Sequence, residues 1–383
     1  MAVKFLPLSE LSVYVDLTNC YKSFHFVKIL SDLDCYLENL GHPKVKTFYF
    51  KYKSKAVTAK SYAHLESFLS SLSERFNFIE LDEFTFEVGP EDIALSLLRV
   101  LNDFFVSRIS LDVKSFSSKF LGIMGFANMS FKRVTVAVDN IRKFNFDLNV
   151  DLNINIPYQE KRHLKLDLVR LVGCAPDHIC LSEISFDENN FIAASLNGTN
   201  CDRNNDRAED FWFYSLDFLE TSGYMNYEIS NFALRGYESR HNLRYWELKP
   251  YLGLGMSSVS LLIGIYENDL KAIVRKDDAF LSREDSFATF EVLSDLDFFI
   301  CHFMTNFGTK KGLNISLLEH RFIYKKEDFV QFVDYLLKLN RAVIFSNNVL
   351  YLDGNERFKL DFYLRLIREY LIDNSFKVNL KFL

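Results

Sequence analysis

The sequence predicts an α/β fold: a partial (β/α)6 barrel followed by a small α+β domain of winged-helix type. Three observations predict it. Six short runs rich in β-branched and aromatic residues recur before residue 185, separated by segments with helical apolar spacing. Strands alternating with helices of that length join as right-handed parallel units. About six such units in a row close most of a barrel, with an open doubly wound sheet as the alternative. The last third changes character, to helices around one hairpin.

Taken in order, Leu11–Leu17 (LSVYVDL) is the first strand. Phe26–Leu40 is a helix, stopped by Gly41 and Pro43. Val45–Phe50 (VKTFYF) is the second strand, and Tyr62, Leu65, Phe68, Leu69, Leu72 and Phe76 then mark one face of a helix. Phe84–Val88 is the third strand, and Pro90 opens the helix after it, at a position where proline is tolerated. Arg108–Val113, Val150–Ile156 and His178–Ile184 complete the six, with a helix over Lys161–Leu171 between the last two. Beyond them, Ser282 and Asp285 have capping-box spacing before a long helix, with Asp in place of Glu or Gln. Phe329, Val330, Phe332, Val333, Leu336 and Leu337 form another amphipathic stripe. Ala342–Phe345 and Val349–Leu352 flank Ser346-Asn347-Asn348, a hairpin signal, and a last helix covers Arg357–Ile372. The expected boundary divides a barrel of residues 1–265 from a C-terminal domain of 266–383.

Composition narrows the function classes. Hydrophobic residues at 49% and charged ones at 25% are ordinary for a globular protein. A formal charge of -6 and the lack of a basic stripe argue against a nucleic-acid partner. The 39 phenylalanines are scattered through amphipathic segments and point to no one function. Six cysteines without a C-x-x-C pair or zinc spacing read as reduced thiols of a cytoplasmic protein. The N-terminus lacks a signal-peptide pattern, and no run is long and apolar enough to span a bilayer.

Chemistry concentrates in Tyr227–Ser260. His241, Asn242, Tyr245 and Trp246 form a compact H-N-x-x-Y-W block, with Glu228, Asn231, Glu238 and Arg240 nearby and Gly253 and Gly255 after it. A neutral imidazole binds iron well, and Tyr and Trp offer flat faces to a planar ligand, a combination suited to haem or another tetrapyrrole. A polar loop that knits two parts of one domain together would use the same residues.

YEISNFA, R-H-N-L-R-Y-W and Y-L-G-L-G together resemble the corresponding segment of the HemW-type haem chaperones, relatives of the oxygen-independent coproporphyrinogen III oxidases in the radical SAM superfamily. The resemblance implies a partial barrel, a similar C-terminal domain, and haem binding by His241, Asn242, Tyr245 and Trp246. It also implies a four-iron cluster on a C-x-x-x-C-x-x-C loop after the first strand, with an open iron for S-adenosylmethionine (SAM). At those three positions this chain has Cys20, Phe24 and Val27, and the family's preceding histidine is Asp16. The family's glycine-rich SAM loop reads Lys51-Tyr52-Lys53-Ser54-Lys55-Ala56. Glu87 and Asp151 match SAM-contacting residues. Lys114 replaces a glutamine, Phe126 an arginine, Asn155 a glycine and Val259 a histidine, while Pro157 and Gln159 persist. A phenyl and an isopropyl group cannot ligate iron, and three lysines oppose a cationic cofactor.

The expectation is therefore a HemW-like protein, haem- or tetrapyrrole-binding and without cluster, SAM chemistry or resident metal, serving apo-haemoprotein acceptors. A coproporphyrinogen-oxidase-type radical SAM enzyme and a ligand-free scaffold are the alternatives. The chain begins close before Cys20, without the long extension of the true oxidases, which favours the HemW branch.

Overall fold

The computed structural model describes residues 3–18, 20, 23–53, 59–126, 129–183, 205–255, 258–277, 288–339 and 342–381. After a short β1 (Lys4–Phe5), parallel strands alternate with helices: β2 (Glu10–Asp16), α1 (Ser23–Asn39), β3 (Lys44–Lys51), α2 (Ala59–Ser73), β4 (Glu83–Val88), α3 (Leu95–Asp103) and β5 (Arg108–Lys114). Then come α4 (Ser118–Ile123), α5 (Phe131–Ile141), β6 (Asp147–Ile154), α6 (Lys161–Gly173), β7 (His178–Glu183) and α7 (Asn205–Thr221). Strands β2 to β7 pair in sequence order and parallel, the doubly repeated signature of the (β/α)6 barrel.

The sheet does not end there. β8 (Met225–Asn226) and β9 (Asn231–Ala233) add antiparallel strands beside β7. The short α8 (Arg240–Trp246) leads into β10 (Tyr251–Gly255), which pairs parallel with β2. β11 (Val259–Tyr266), β12 (Asp269–Asp277) and β13 (Ala288–Val292) extend that edge antiparallel, giving a sheet of 13 strands among the described residues. The glycines of Y-L-G-L-G serve this packing: a Cβ at Gly255 would fall on the Asp16 carbonyl, and one at Gly253 on the Val259 carbonyl. Gly255 also has φ +94°, which a side chain would strain.

The remainder is α+β: α9 (Asp295–Phe307), β14 (Leu313–Asn314), α10 (Ile315–Arg321), β15 (Phe322–Tyr324), α11 (Lys326–Lys338), β16 (Val343–Ser346), β17 (Val349–Leu352), α12 (Leu360–Asp373) and β18 (Val378–Leu380). Its core, rich in Phe299, Phe303, Phe322 and Phe332, also takes Leu261, Ile263, Leu270 and Ala272 from β11 and β12. The larger core lies between the barrel strands and helices α1 to α7. No helix among the described residues is long and apolar enough to cross a membrane.

Two expectations are corrected. Pro90 lies in a turn, with Asp92 N–H on the Gly89 carbonyl, and the helix starts at Leu95. Ser282 and Asp285 lie outside the described residues, but strand β13 follows them and the helix starts after Ser294. There the Ser294 hydroxyl accepts from Asp297 N–H, so a cap of the same chemistry stands twelve residues later.

Candidate functional site

The barrel strands alternate. Val13, Val15, Phe48, Phe50, Phe84, Phe86, Ile109, Leu111, Val150 and Ile179 are buried against the helices. The residues between them are polar: Ser12, Thr47, Glu83, Thr85, Arg108, Ser110, Asn149 and His178 are buried too. Successive strand residues point to opposite faces, so the lumen is lined with polar groups. In most barrels of this kind the lumen is filled with branched apolar side chains. A polar lumen must satisfy its hydrogen bonds internally, and two organised ends supply most of them here, although Arg108 Nη1 is left without a hydrogen-bond partner.

The floor lies at the N-terminal ends of the strands and is closed by α8. Glu83, the first residue of β4, anchors the helix. Its carboxylate accepts from the Ser239 hydroxyl (2.9 Å), Arg240 N–H (2.9 Å) and His241 N–H (3.2 Å), and Arg108 Nε lies 3.4 Å away. An anion at the start of a helix is favourable for its unpaired N–H groups. His241 is fully buried. Its Nδ1 is 2.8 Å from Thr47 Oγ1, and Thr47 in turn donates to Ser12 Oγ (3.0 Å). That direction makes Nδ1–H a donor to Thr47, so Nε2 accepts from the Tyr245 hydroxyl at 2.7 Å. Burial is the main cause that lowers the His241 pKa to about 4, keeping the ring neutral. Arg244 Nε ties the same helix to Ser12 at 2.6 Å. The Trp246 ring lies against Gly308 at the end of α9, where a Cβ would collide with it. Asn242 is half-buried, with its N–H on the Ser239 hydroxyl. All four residues of the H-N-x-x-Y-W block are thus brought together on α8, and neither ring nitrogen of His241 is free for iron in this closed form.

The mouth lies at the C-terminal ends, where α/β barrels carry their chemistry. Glu87 accepts from the Tyr49 hydroxyl (2.8 Å) and pairs with Lys51 Nζ (3.3 Å). Asp151 accepts from Asn149 Nδ2 (2.7 Å) and the Ser110 hydroxyl (2.9 Å). Burial first, then Glu87 and Asp112, push its pKa up to about 7. Lys114 Nζ lies 2.7 Å from Asp112, and Lys53 and Lys114 both stand over the Phe126 ring. Among the described residues, Lys51, Lys53, Glu87, Asp112, Lys114 and Phe126 line a small cavity of about 30 Å³. Lys55 lies outside the described residues. Asn155 keeps a positive φ of 55°, and asparagine is among the few side chains at ease there.

A directional chain joins floor to mouth. Ser239 N–H donates to the Tyr227 oxygen (3.3 Å), whose O–H donates to His178 Nε2 (2.7 Å). His178 Nδ1–H donates to Asn149 Oδ1 (2.6 Å), and Asn149 Nδ2 to Asp151. His178 stays neutral because burial and Arg108 both lower its pKa.

The residues at the mouth do not fit the cofactors that the resemblance implies. The Cys20 thiol is buried, and burial, then Asp16, push its pKa up to about 12. Phe24 and Val27, at the other two ligand positions, start α1 with 55% and 63% of their surface exposed. They offer iron no electron pair.

Asp151 also yields a pH prediction. An acid whose folded pKa is raised from 3.8 to about 7 binds its proton more tightly when folded. The stability it contributes is fully present below pH ~4 and is lost as pH rises through ~7. Asp151→Asn keeps the acceptor for Asn149 and carries no charge. Its melting temperature is expected to exceed the parent's by several degrees at pH 8 and to match it at pH 5. An equal effect at both values would mean that ionisation is not what matters.

The floor residues Glu83, Thr47, Ser12 and Arg244 and the chain residues His178, Tyr227 and Asn149 were not singled out as site residues from the sequence. The signal for them is the period-two polar set on strands that also carry apolar runs.

No protein-family model matches the chain. It is 30% identical over 256 residues to the haem chaperone HemW of Lactococcus lactis, covering 63% of this chain and 67% of that protein. It is 27% identical over 178 residues to HemW of Bacillus subtilis, covering 46% of this chain and 47% of that one. Apart from the Lactococcus protein, the chain spans about half the length of such relatives. Among solved structures, HemN of Escherichia coli, a coproporphyrinogen III oxidase and radical SAM enzyme, superposes with a TM-score of 0.73. It is 17% identical, and the match covers 95% of this chain and 91% of that one, a likeness of fold.

Proposed function

Because the chain belongs to the HemW-type family of the radical SAM superfamily, we propose that it is a HemW-like haem-binding protein that works without an iron–sulfur cluster or SAM chemistry. The observation that carries the second half is the barrel mouth: a single cysteine, two hydrocarbon side chains at the other ligand positions, and lysines where a cationic cofactor would lie. The haem half is supported by relatives that are named haem chaperones. Delivery to apo-haemoproteins in the cytoplasm is part of the same proposal. So is the division into a barrel unit, 1–265, and a C-terminal unit, 266–383.

The haem-binding residues proposed are His241, Asn242, Tyr245 and Trp246, in a form where α8 has left the barrel floor. In the closed form Thr47 and Tyr245 hold both imidazole nitrogens, so iron must displace one of them. With α8 displaced, His241 would supply the axial nitrogen and Tyr245 or Trp246 a stacking face. Asn242 would orient its neighbours.

Iron content tests the cluster half. After anaerobic reconstitution with iron and sulfide, the protein is expected to hold far fewer than the roughly four irons per chain of a loaded cluster. Reduction should give no iron–sulfur EPR signal, and Cys20→Ala should leave the iron content unchanged. A stoichiometric cluster would instead favour oxidase-type radical chemistry.

A further inference from the structure

The carboxylates of Glu87, Asp112 and Asp151 converge at the barrel mouth, and the chain answers them with its own cations. Lys51 Nζ meets Glu87 Oε1 at 3.3 Å and Lys114 Nζ meets Asp112 Oδ2 at 2.7 Å. Lys114 Nζ also lies 5.1 Å from the centre of the Phe126 ring, a cation–π distance. We propose that Lys51, Lys114 and Phe126 form a built-in plug, in which two ammonium groups hold the mouth carboxylates and close the pocket against cationic ligands.

Backbone geometry makes this more than two surface ion pairs. Lys114 has φ +65°, a left-handed conformation uncommon for a lysine. The register between β5 and β6 shifts between Asp112 and Lys114. Such an irregularity re-aims a side chain, and here the ammonium is turned back onto the carboxylate two residues earlier. Burial lowers the Lys51 pKa, but Glu87, with Asp112 and Asp16 behind it, outweighs burial and holds it above the ordinary lysine value. The ammonium is therefore charged wherever the carboxylates are. An ordinary exposed lysine–carboxylate pair contributes little, because water and salt screen it. A plug is distinguished by the shaped, charged hole its removal leaves.

The plug deepens the cluster-free reading and rests on it, but its test does not depend on iron. The full chain carrying Lys51→Ala and Lys114→Ala is expected to melt several degrees below the parent. Propylammonium chloride, which replaces the missing side-chain ends, is expected to recover at least half of that loss. Sodium chloride and propanol at equal concentration are expected to recover none. Should the alanine variant fail to fold, Lys51→Met with Lys114→Met keeps the volume and removes the charge. It should melt below the parent and be restored by adding Glu87→Gln and Asp112→Asn. Calorimetry with SAM as a large cationic probe should give no heat with the parent. The plug is overturned by parental melting in the double variants, by rescue with propanol as good as with propylammonium, or by saturable SAM binding to the parent. A loaded cluster with these results intact would instead overturn the cluster-free reading alone.

Discussion

His241→Ala is expected to lower the melting temperature by about 6 °C or more near neutral pH. The imidazole is fully buried and links Thr47 to Tyr245. Its removal leaves the Tyr245 O–H without an acceptor, which costs about 1–3 kcal/mol. The ring also packs edge-on against Tyr245 (4.7 Å between centroids) and lies 5.2 Å from Tyr49, so a void opens at the floor. Cavity and lost contacts bring the sum to about 3 kcal/mol, and each kcal/mol shifts the melting point of a domain this size by about 2 °C or more. The difference should shrink in acid. A histidine whose folded pKa is lowered to about 4 contributes stability that is fully present above pH ~6.5 and is lost as pH falls toward ~4. The alanine variant has no such proton to take up, so the two melting curves should approach each other below pH ~6.5. A difference that stays under ~2 °C at pH 7.5 would mean that α8 does not hold the floor through His241.

The barrel was legible because its strands carry apolar residues at every second position. Leu11–Leu17, Val45–Phe50 and Arg108–Val113 each lie within about a residue of the observed strands. The hairpin at Asn347-Asn348 was legible because both residues take positive φ, 50° and 64°, as a two-residue turn demands. The β11–β12 hairpin has the same geometry at Glu267 and Asn268 but was missed, since Glu is a poor turn signal. The resemblance located the H-N-x-x-Y-W block but not its place in space. His241 meets Glu83 across 158 residues of sequence, and no local spacing encodes such a contact. Reading the skipped positions of each strand would have helped: Ser12-Tyr14-Asp16, Thr47-Tyr49-Lys51, Glu83-Thr85-Glu87 and Ser110-Asp112-Lys114 all spell a polar lumen. In the sequence the lysines of the second strand end show only a charge that opposes a cationic cofactor. The pairing of Lys51 with Glu87 and of Lys114 with Asp112 depends on side-chain reach and on the bulge at Lys114, which sequence alone does not fix.

Glu83→Gln is expected to lower the melting temperature about as much as His241→Ala while tightening haem binding by tenfold or more. Glu83 holds the first turn of α8 by accepting from Ser239, Arg240 and His241 and lies against buried Arg108. Glutamine keeps one acceptor oxygen and turns an NH2 group toward donors that had a carboxylate. Breaking a buried charged pair in this way costs about 3–5 kcal/mol. Much of that loss bears on the closed floor, because every backbone bond involved belongs to the start of α8. If haem binds the form with α8 displaced, apparent affinity is the intrinsic affinity multiplied by the fraction of molecules in that form. Shifting the closed–open balance by even ~1.4 kcal/mol then strengthens apparent binding about tenfold. His241→Ala loosens the same helix but removes the proposed axial nitrogen, so its haem affinity should fall despite the looser floor. Haem titration followed at the Soret band, beside thermal melts of the parent and both variants, gives the comparison. Opposite changes in affinity with similar losses of stability are the expected pattern. If Glu83→Gln melts low but binds haem no better than the parent, α8 is a floor alone, and haem is held by other residues of the chain.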